Sequence, residues 1–213
     1  MTNPETAQVI EGNNFEPSNY ERPEGKAMPD QLTDEEIDKW WPIYDEPFQL
    51  LNEENPCRQS FNYEEFCEAM KSDTMAKLAY VADGEIASMV LLSNDFSHFP
   101  WLSEKFFQKK YPEEFDSGRI HYFVSFLTDP DMQQQGYGEK VLEFVTELFA
   151  LEEENQIITF DCCDANSSWM PAMIAAIPES TGLGELSFEN LGRQNYFAGR
   201  LMLNQFAQTT QEV

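Results

Sequence analysis

The stretch Pro130-Asp131-Met132-Gln133-Gln134-Gln135-Gly136-Tyr137-Gly138 decides how this chain is read. Ahead of it lies an apolar, β-branched and aromatic run, 122–127. Behind it Val141, Leu142, Val145, Leu148 and Phe149 recur at helical spacing. The order is therefore strand, glycine-containing turn, helix start. Gly136 and Gly138 can take conformations closed to other residues and let a ligand come close to the main chain. The first turn of a helix leaves its N–H groups unpaired, and the helix dipole favours an anion there. The segment is built to hold a phosphate-like group.

Two common phosphate-binding patterns are excluded. A P-loop ends in Gly-Lys-[Ser/Thr], whereas Gly138 is followed by Glu139 and Lys140. A dinucleotide fingerprint needs a glycine three residues after Gly138, and that position is Val141. What fits is Gln/Arg-x-x-Gly-x-Gly, read at Gln133, Gly136 and Gly138, with Pro130 three residues before Gln133. This pattern resembles motif A of the GNAT (GCN5-related N-acetyltransferase) superfamily. In that family the loop cradles the pyrophosphate of acetyl-CoA. The resemblance implies acetyl-CoA or another acyl-CoA as co-substrate, without a metal.

Composition narrows the function classes. At 213 residues, with 41% hydrophobic and 14% aromatic residues, the chain can bury a core of its own. It holds no run of apolar residues long enough to span a membrane. Met1-Thr2-Asn3-Pro4-Glu5 has neither the basic start nor the apolar stretch of a signal peptide, so a cytoplasmic location is expected. The four cysteines, Cys57, Cys67, Cys162 and Cys163, are expected to be reduced, since the adjacent pair 162/163 on a strand would point to opposite faces. With only His98 and His121 and no CxxC spacing, no metal site is expected. The 39 acidic residues outnumber the 13 basic ones, for a net charge of −26. Such a surface repels nucleic acid and anionic membranes. A cationic amine substrate, a basic protein partner, adaptation to high salt and a merely solvated surface all agree with it.

Along the chain, residues 1–30 lack apolar periodicity and read as a disordered acidic tail. Thr33 and Glu36 form a capping box that opens a helix, with a break expected near Trp41 because Pro42 follows. A helix is expected over 63–70. Strands over 77–81 and 86–92 flank Asp83-Gly84, a hairpin turn signal. Residues 93–118 form an aromatic-rich insertion with a helix over 102–111. A strand over 119–128, a helix over 139–151, a strand over 156–163, a helix over 168–177 and a closing antiparallel pair over 185–188 and 195–203 complete the order. That order is also the order of a GNAT domain, so the resemblance covers 31–207 and implies an α/β (α+β) fold with a mixed, mostly antiparallel central sheet flanked by helices. Residues 208–213 are a C-terminal tail.

The resemblance also assigns roles. Gln133, Gln134, Gln135, Gly136, Tyr137, Gly138 and Glu139 form the pyrophosphate loop, and the main chain of Phe126, Leu127 and Thr128 pairs with the pantetheine arm. Asn166 sits where the family often has an asparagine that contacts CoA. The tyrosine that in many members protonates the departing thiolate is replaced by Met173, and the strand glutamate of histone-type relatives by Tyr122. His121, beside it, has a base of suitable ordinary pKa, and strand alternation lets only one of His121 and Tyr122 face the cleft. Asp161 and Asp164 are candidates for binding a cationic substrate. The function implied is acyl transfer, acetyl first, to a primary amine, with a small cationic amine favoured over a protein lysine, by a monomer or homodimer. The alternative is a non-catalytic acyl-CoA-binding or acidic interaction module.

Overall fold

Asp83-Gly84 does turn a hairpin. In the computed structural model, which describes residues 25–27, 32–54, 60–151, 156–193 and 198, both residues have positive φ, 53° and 86°. That is the pairing a type I′ turn requires. Five strands stand side by side in chain order among the described residues: β1 (Gly25–Ala27), β2 (Ala76–Ala82), β3 (Glu85–Ser93), β4 (Ile120–Thr128) and β5 (Ile157–Thr159). The first three pairings are antiparallel and β4–β5 is parallel. The sheet is thus mixed and mostly antiparallel, as expected. β1 falls within the stretch expected to be a disordered tail, where Gly25 to Ala27 instead pair with Tyr80 to Leu78.

Helices cover both faces: α1 (Asp34–Glu54), α2 (Tyr63–Lys71), α3 (Glu104–Lys110), α4 (Pro112–Asp116), α5 (Tyr137–Ala150), α6 (Asp164–Ser167) and α7 (Met170–Thr181). β3 is buried on both faces from Ala87 to Ser93, and its alternation sorts the core. Met89 and Leu91 join Ile37, Trp40 and Tyr44 of α1, Phe66 and Met70 of α2, and Phe107 of α3. Val90 and Leu92 join Val141, Phe144, Val145 and Leu148 of α5 and Ile177 of α7.

The capping box at the start of α1 forms as read, with Thr33 N–H donating to Glu36 Oε2 at 2.8 Å and Glu36 N–H to Thr33 Oγ1 at 3.3 Å. The break at Pro42 does not occur, and α1 runs unbroken through Pro42 and Pro47. Both prolines are exposed and lie on the side of the helix away from its buried residues. Ile37, Trp40 and Tyr44 meanwhile clamp the opposite face to the sheet. The C-terminal elements also differ. β5 stops at Thr159, so Cys162 and Cys163 follow the strand, and residues 185–188 form no strand among the described residues. Residues 195–203, apart from 198, and the tail 208–213 lie outside the described residues. The described cysteines Cys67, Cys162 and Cys163 are free thiols. No helix among the described residues is long and apolar enough to cross a membrane.

Phe144 is fully buried at the centre of the α5 side. Phe144→Ala should cost about 3–5 kcal/mol, read as a shift in the urea midpoint at unchanged slope; a loss below about 1 kcal/mol would contradict this core assignment.

Candidate functional site

β4 pairs with β3 from Ser93↔Tyr122 to Ser88↔Thr128, but its other edge meets β5 only over Ile120, His121 and Tyr122. Leu91 pairs with Ser125 and Leu92 with Phe123, so Val124 is an extra residue on β4. A bulge of this kind bends its strand and sharpens the local twist. It falls where β5 parts from β4. The result is a wedge between the strands, with the β4 edge beyond Tyr122 facing no strand among the described residues. Such an edge keeps hydrogen-bonding groups available to an extended ligand.

The loop after β4 closes the end of this wedge. Asp129 accepts a hydrogen bond from Asp131 N–H at 2.9 Å, and Pro130–Met132 make one 3₁₀ turn. Gln134 and Gly136 then take left-handed conformations, with φ of 62° and 81°. A residue other than glycine held there costs on the order of 1–3 kcal/mol, and such strain gathers at ligand-binding turns. Left-handed residues alternating with ordinary ones aim successive N–H groups inward, as in an anion-binding nest. Gly136 is the N-cap of α5 and offers no side chain to cap it. The first turn, Tyr137, Gly138 and Glu139, is left with N–H donors for a ligand. Gly138 serves close approach: a Cβ there would stand 2.7 Å from Phe126 Cζ and 3.4 Å from Thr128 Oγ1. Its absence seats the helix start directly on the end of β4. Gln133, Gln134, Gln135 and Glu139 are exposed, and Tyr137 stacks on Tyr80 of β2 with centroids 5.5 Å apart. Lys140, the nearest cation in sequence, is paired with Glu143 at 2.7 Å. What the turn offers is therefore backbone N–H groups and not charged side chains.

The structure separates the two residues between which strand alternation had to choose. His121 turns to the α5 face, is 3% exposed, packs on Phe149 with centroids 4.8 Å apart, and donates from Nε2 to Gln156 Oε1 at 3.0 Å. Burial pushes its pKa down to about 4, against a smaller opposing effect of Gln156. Tyr122 faces the other way, toward α1 and the insertion. Its phenol donates to Asp161 and accepts from Trp101 Nε1 at 3.1 Å. Burial first, and the Asp161 carboxylate second, hold that phenol well above the usual tyrosine range, so it stays protonated. His121 is thus not brought together with Asp161, and Tyr122 is. Ser125, which register places on the same face as Tyr122, is 6% exposed and its hydroxyl has no partner among the described residues.

Asp164 begins α6 and is exposed, and Asn166 is half-buried in the same short helix, its N–H donating to Cys163 O at 3.0 Å. Met173 packs its side chain into the α5-side core. Phe126 and Thr128 are half-buried beneath the α5 start and Leu127 is buried on the α1 side. The contact that sequence reasoning missed is Trp101 on Tyr122. An aromatic-rich insertion was legible, but nothing local distinguishes the one ring that reaches β4. No group of His, Cys, Asp and Glu among the described residues is arranged to hold a metal ion.

No protein-family model matches the chain, and no curated protein matches it. Solved structures do resemble it. One is an aminoglycoside acetyltransferase from an uncultured soil metagenomic sample in complex with sisomicin, at 13% identity and a TM-score of 0.43, over 82% of this chain and 97% of that one. Another is an aminoglycoside N-acetyltransferase in complex with CoA, at 14% identity and 0.42, over 83% of this chain and 97% of that one. A third is a transcriptional regulator from Bacillus halodurans, at 16% identity and 0.45, over 79% of this chain and 99% of that one. Likeness at this level transfers none of their activities to the chain.

The buried His121 makes the fold acid-sensitive. Its folded-state pKa, about 4, lies below the unfolded value near 6.5. The neutral ring is therefore fully tolerated above about pH 6.5, and stability falls as pH drops toward 4, by something on the order of 3 kcal/mol. Across this window the wild type should lose stability relative to His121→Gln in urea unfolding. Parallel curves for the two proteins would show that the buried imidazole is not the cause.

Proposed function

We propose that the chain is a GNAT-type N-acyltransferase that moves an acyl group, acetyl in the first place, from acyl-CoA to a primary amine. The observation that carries this is the coincidence of the backbone cradle at Gln133 to Glu139 with the unpaired β4 edge at Phe126, Leu127 and Thr128. An anion at the cradle and an extended amide-bearing arm along that edge match the pyrophosphate and the pantetheine arm of CoA. The unpartnered hydroxyl of Ser125 beside the bulge adds support, because a buried polar group without a partner costs on the order of 1–3 kcal/mol and a ligand relieves it.

In this reading the amine nitrogen, once neutral, attacks the thioester carbonyl carbon. The C–N bond forms, the C–S bond breaks, and the sulfur leaves as thiolate. The ammonium substrate gives up two protons in all; one ends on the CoA sulfur and one is released to solvent. Asp161, at the wedge, and Asp164 are the groups that receive the cationic amine. Tyr122 is the strand residue that bonds Asp161, while His121, buried against α5, takes no part. With a net charge of −26, a small cationic amine is the favoured acceptor over a protein lysine, and nucleic acid and anionic membranes are not partners. The free thiols of Cys67, Cys162 and Cys163 support a cytoplasmic setting. The domain is taken to span 31–207, extended by β1, as a monomer or homodimer. A non-catalytic acyl-CoA-binding module is the second reading, favoured by Met173 lying in the core where a family tyrosine would act.

Calorimetry with CoA tests the shared part. The wild type should bind, and Gly136→Ala, which forces a side chain into a left-handed position, should bind at least tenfold more weakly and lose about 1–2 kcal/mol of stability. Absence of any CoA binding by the wild type would overturn the proposal. Thiol release with a panel of primary amines separates enzyme from binding module. Because the acidic field opposes the anionic CoA, its affinity should rise with moderate salt, and a flat or falling dependence would count against that electrostatic account.

A further inference from the structure

Three segments distant in sequence meet at the wedge. Trp101 belongs to the insertion, Tyr122 to β4, and Asp161 to the chain just past β5. The indole Nε1–H donates to the Tyr122 hydroxyl at 3.1 Å, and that hydroxyl donates to Asp161 Oδ1. The direction of both bonds is fixed, since the indole can only donate and the ionised carboxylate can only accept. Phe99 lies 5.6 Å from Trp101 and 4.7 Å from Tyr122, and Phe61 lies 6.1 Å from Trp101, centroid to centroid, so the ring is held in place. Yet Trp101 is 49% exposed and Asp161 is exposed. An ordered aromatic ring that stays open to solvent beside an open carboxylate is not explained by core packing.

We propose that Trp101, Tyr122 and Asp161 form a subsite for a protonated alkylamine, with Trp101 as the specificity-determining residue that the insertion contributes. Two hydrogen bonds in series set the indole nitrogen and the carboxylate about 6 Å apart at most. An ammonium group placed between them reaches Asp161 Oδ2 by a charge-assisted hydrogen bond and the indole face within cation–π range. Tyr122 is a positioning residue: it holds Oδ1 and so turns Oδ2 outward. Lysine-like and diamine substrates suit the site, whose ring takes the methylene next to the charge. Bulky quaternary groups do not, because they carry no N–H for the carboxylate. The assignment of this subsite to an acyl acceptor rests on the acyltransferase reading; its affinity for ammonium does not.

The experiment is calorimetric titration of the full chain with 1,4-diaminobutane, with CoA binding measured alongside on every variant. Asp161→Asn and Trp101→Ala should each weaken diamine binding at least tenfold. Glu179→Gln removes the same charge as Asp161→Asn from an exposed position on α7, across the sheet, and should change affinity less than twofold. All three should bind CoA like the wild type. Tyr122→Phe should raise the KM for amine several-fold while leaving the KM for acyl-CoA unchanged, a split that general loosening of the fold would not produce. Equal losses in Asp161→Asn and Glu179→Gln would reduce the effect to net charge and overturn the subsite. Wild-type affinity in Trp101→Ala, or no saturable diamine binding by the wild type, would overturn it as well. Failure of CoA binding alone would sink the acyltransferase reading and leave the subsite standing on the diamine titrations.

Discussion

The pairing of β4 is the constraint on which the rest depends. Its β3 edge is paired from Tyr122 to Thr128, which anchors it to a strand buried on both faces. Its other edge is bonded to β5 for three residues only, and the extra residue Val124 bends the strand at the point of parting. A parallel pair that continued to Thr128 would close the sheet, consume the free backbone groups and leave no space between the strands. The wedge is therefore a consequence of one inserted residue and one short strand. Gly138 seats on Phe126 and Thr128 at one end of β4, and Tyr122 bonds Asp161 nearer the other end.

The electrostatics of the two ends are opposed. At the loop, an anion would be held in a protein of net charge −26 without a free cation in the adjacent sequence, Lys140 being paired with Glu143. Backbone N–H groups are suited to that task, since they carry positive partial charge that neither titrates nor needs a counter-ion. The left-handed turns at Gln134 and Gly136 aim them. At the other end the carboxylate of Asp161 is exposed and its phenol partner stays protonated, so the pair presents the carboxylate to solvent. The loop thus offers main-chain donors, and the other end offers a side-chain carboxylate.

The legible parts were those governed by neighbours in sequence. The Thr33/Glu36 capping box, the Asp83-Gly84 turn and the strand–glycine–helix order around Gly136 each depend on residues a few positions apart, and each formed as read. The failures were long-range. Pro42 did not break α1, because Trp40 and Tyr44 fasten the helix to the sheet while the proline faces water. Residues 160–163 carry strand-like character, yet β5 ends at Thr159, whose partner Tyr122 lies just before the extra residue Val124 of β4. The choice between His121 and Tyr122 needed the sheet's two faces to be identified, which alternation alone does not do.

By itself the sequence determined the loop, its glycines and the succession of elements about it, because backbone conformation and helix entry are set by local sterics and local hydrogen bonds. Tertiary structure alone decided that β4 and β5 diverge, that His121 is sealed under Phe149, and that Trp101 reaches across to Tyr122 and Asp161. Those outcomes depend on which faces pack together and how a twisted sheet bends. Such contacts join residues dozens of positions apart, and no short window of sequence carries them.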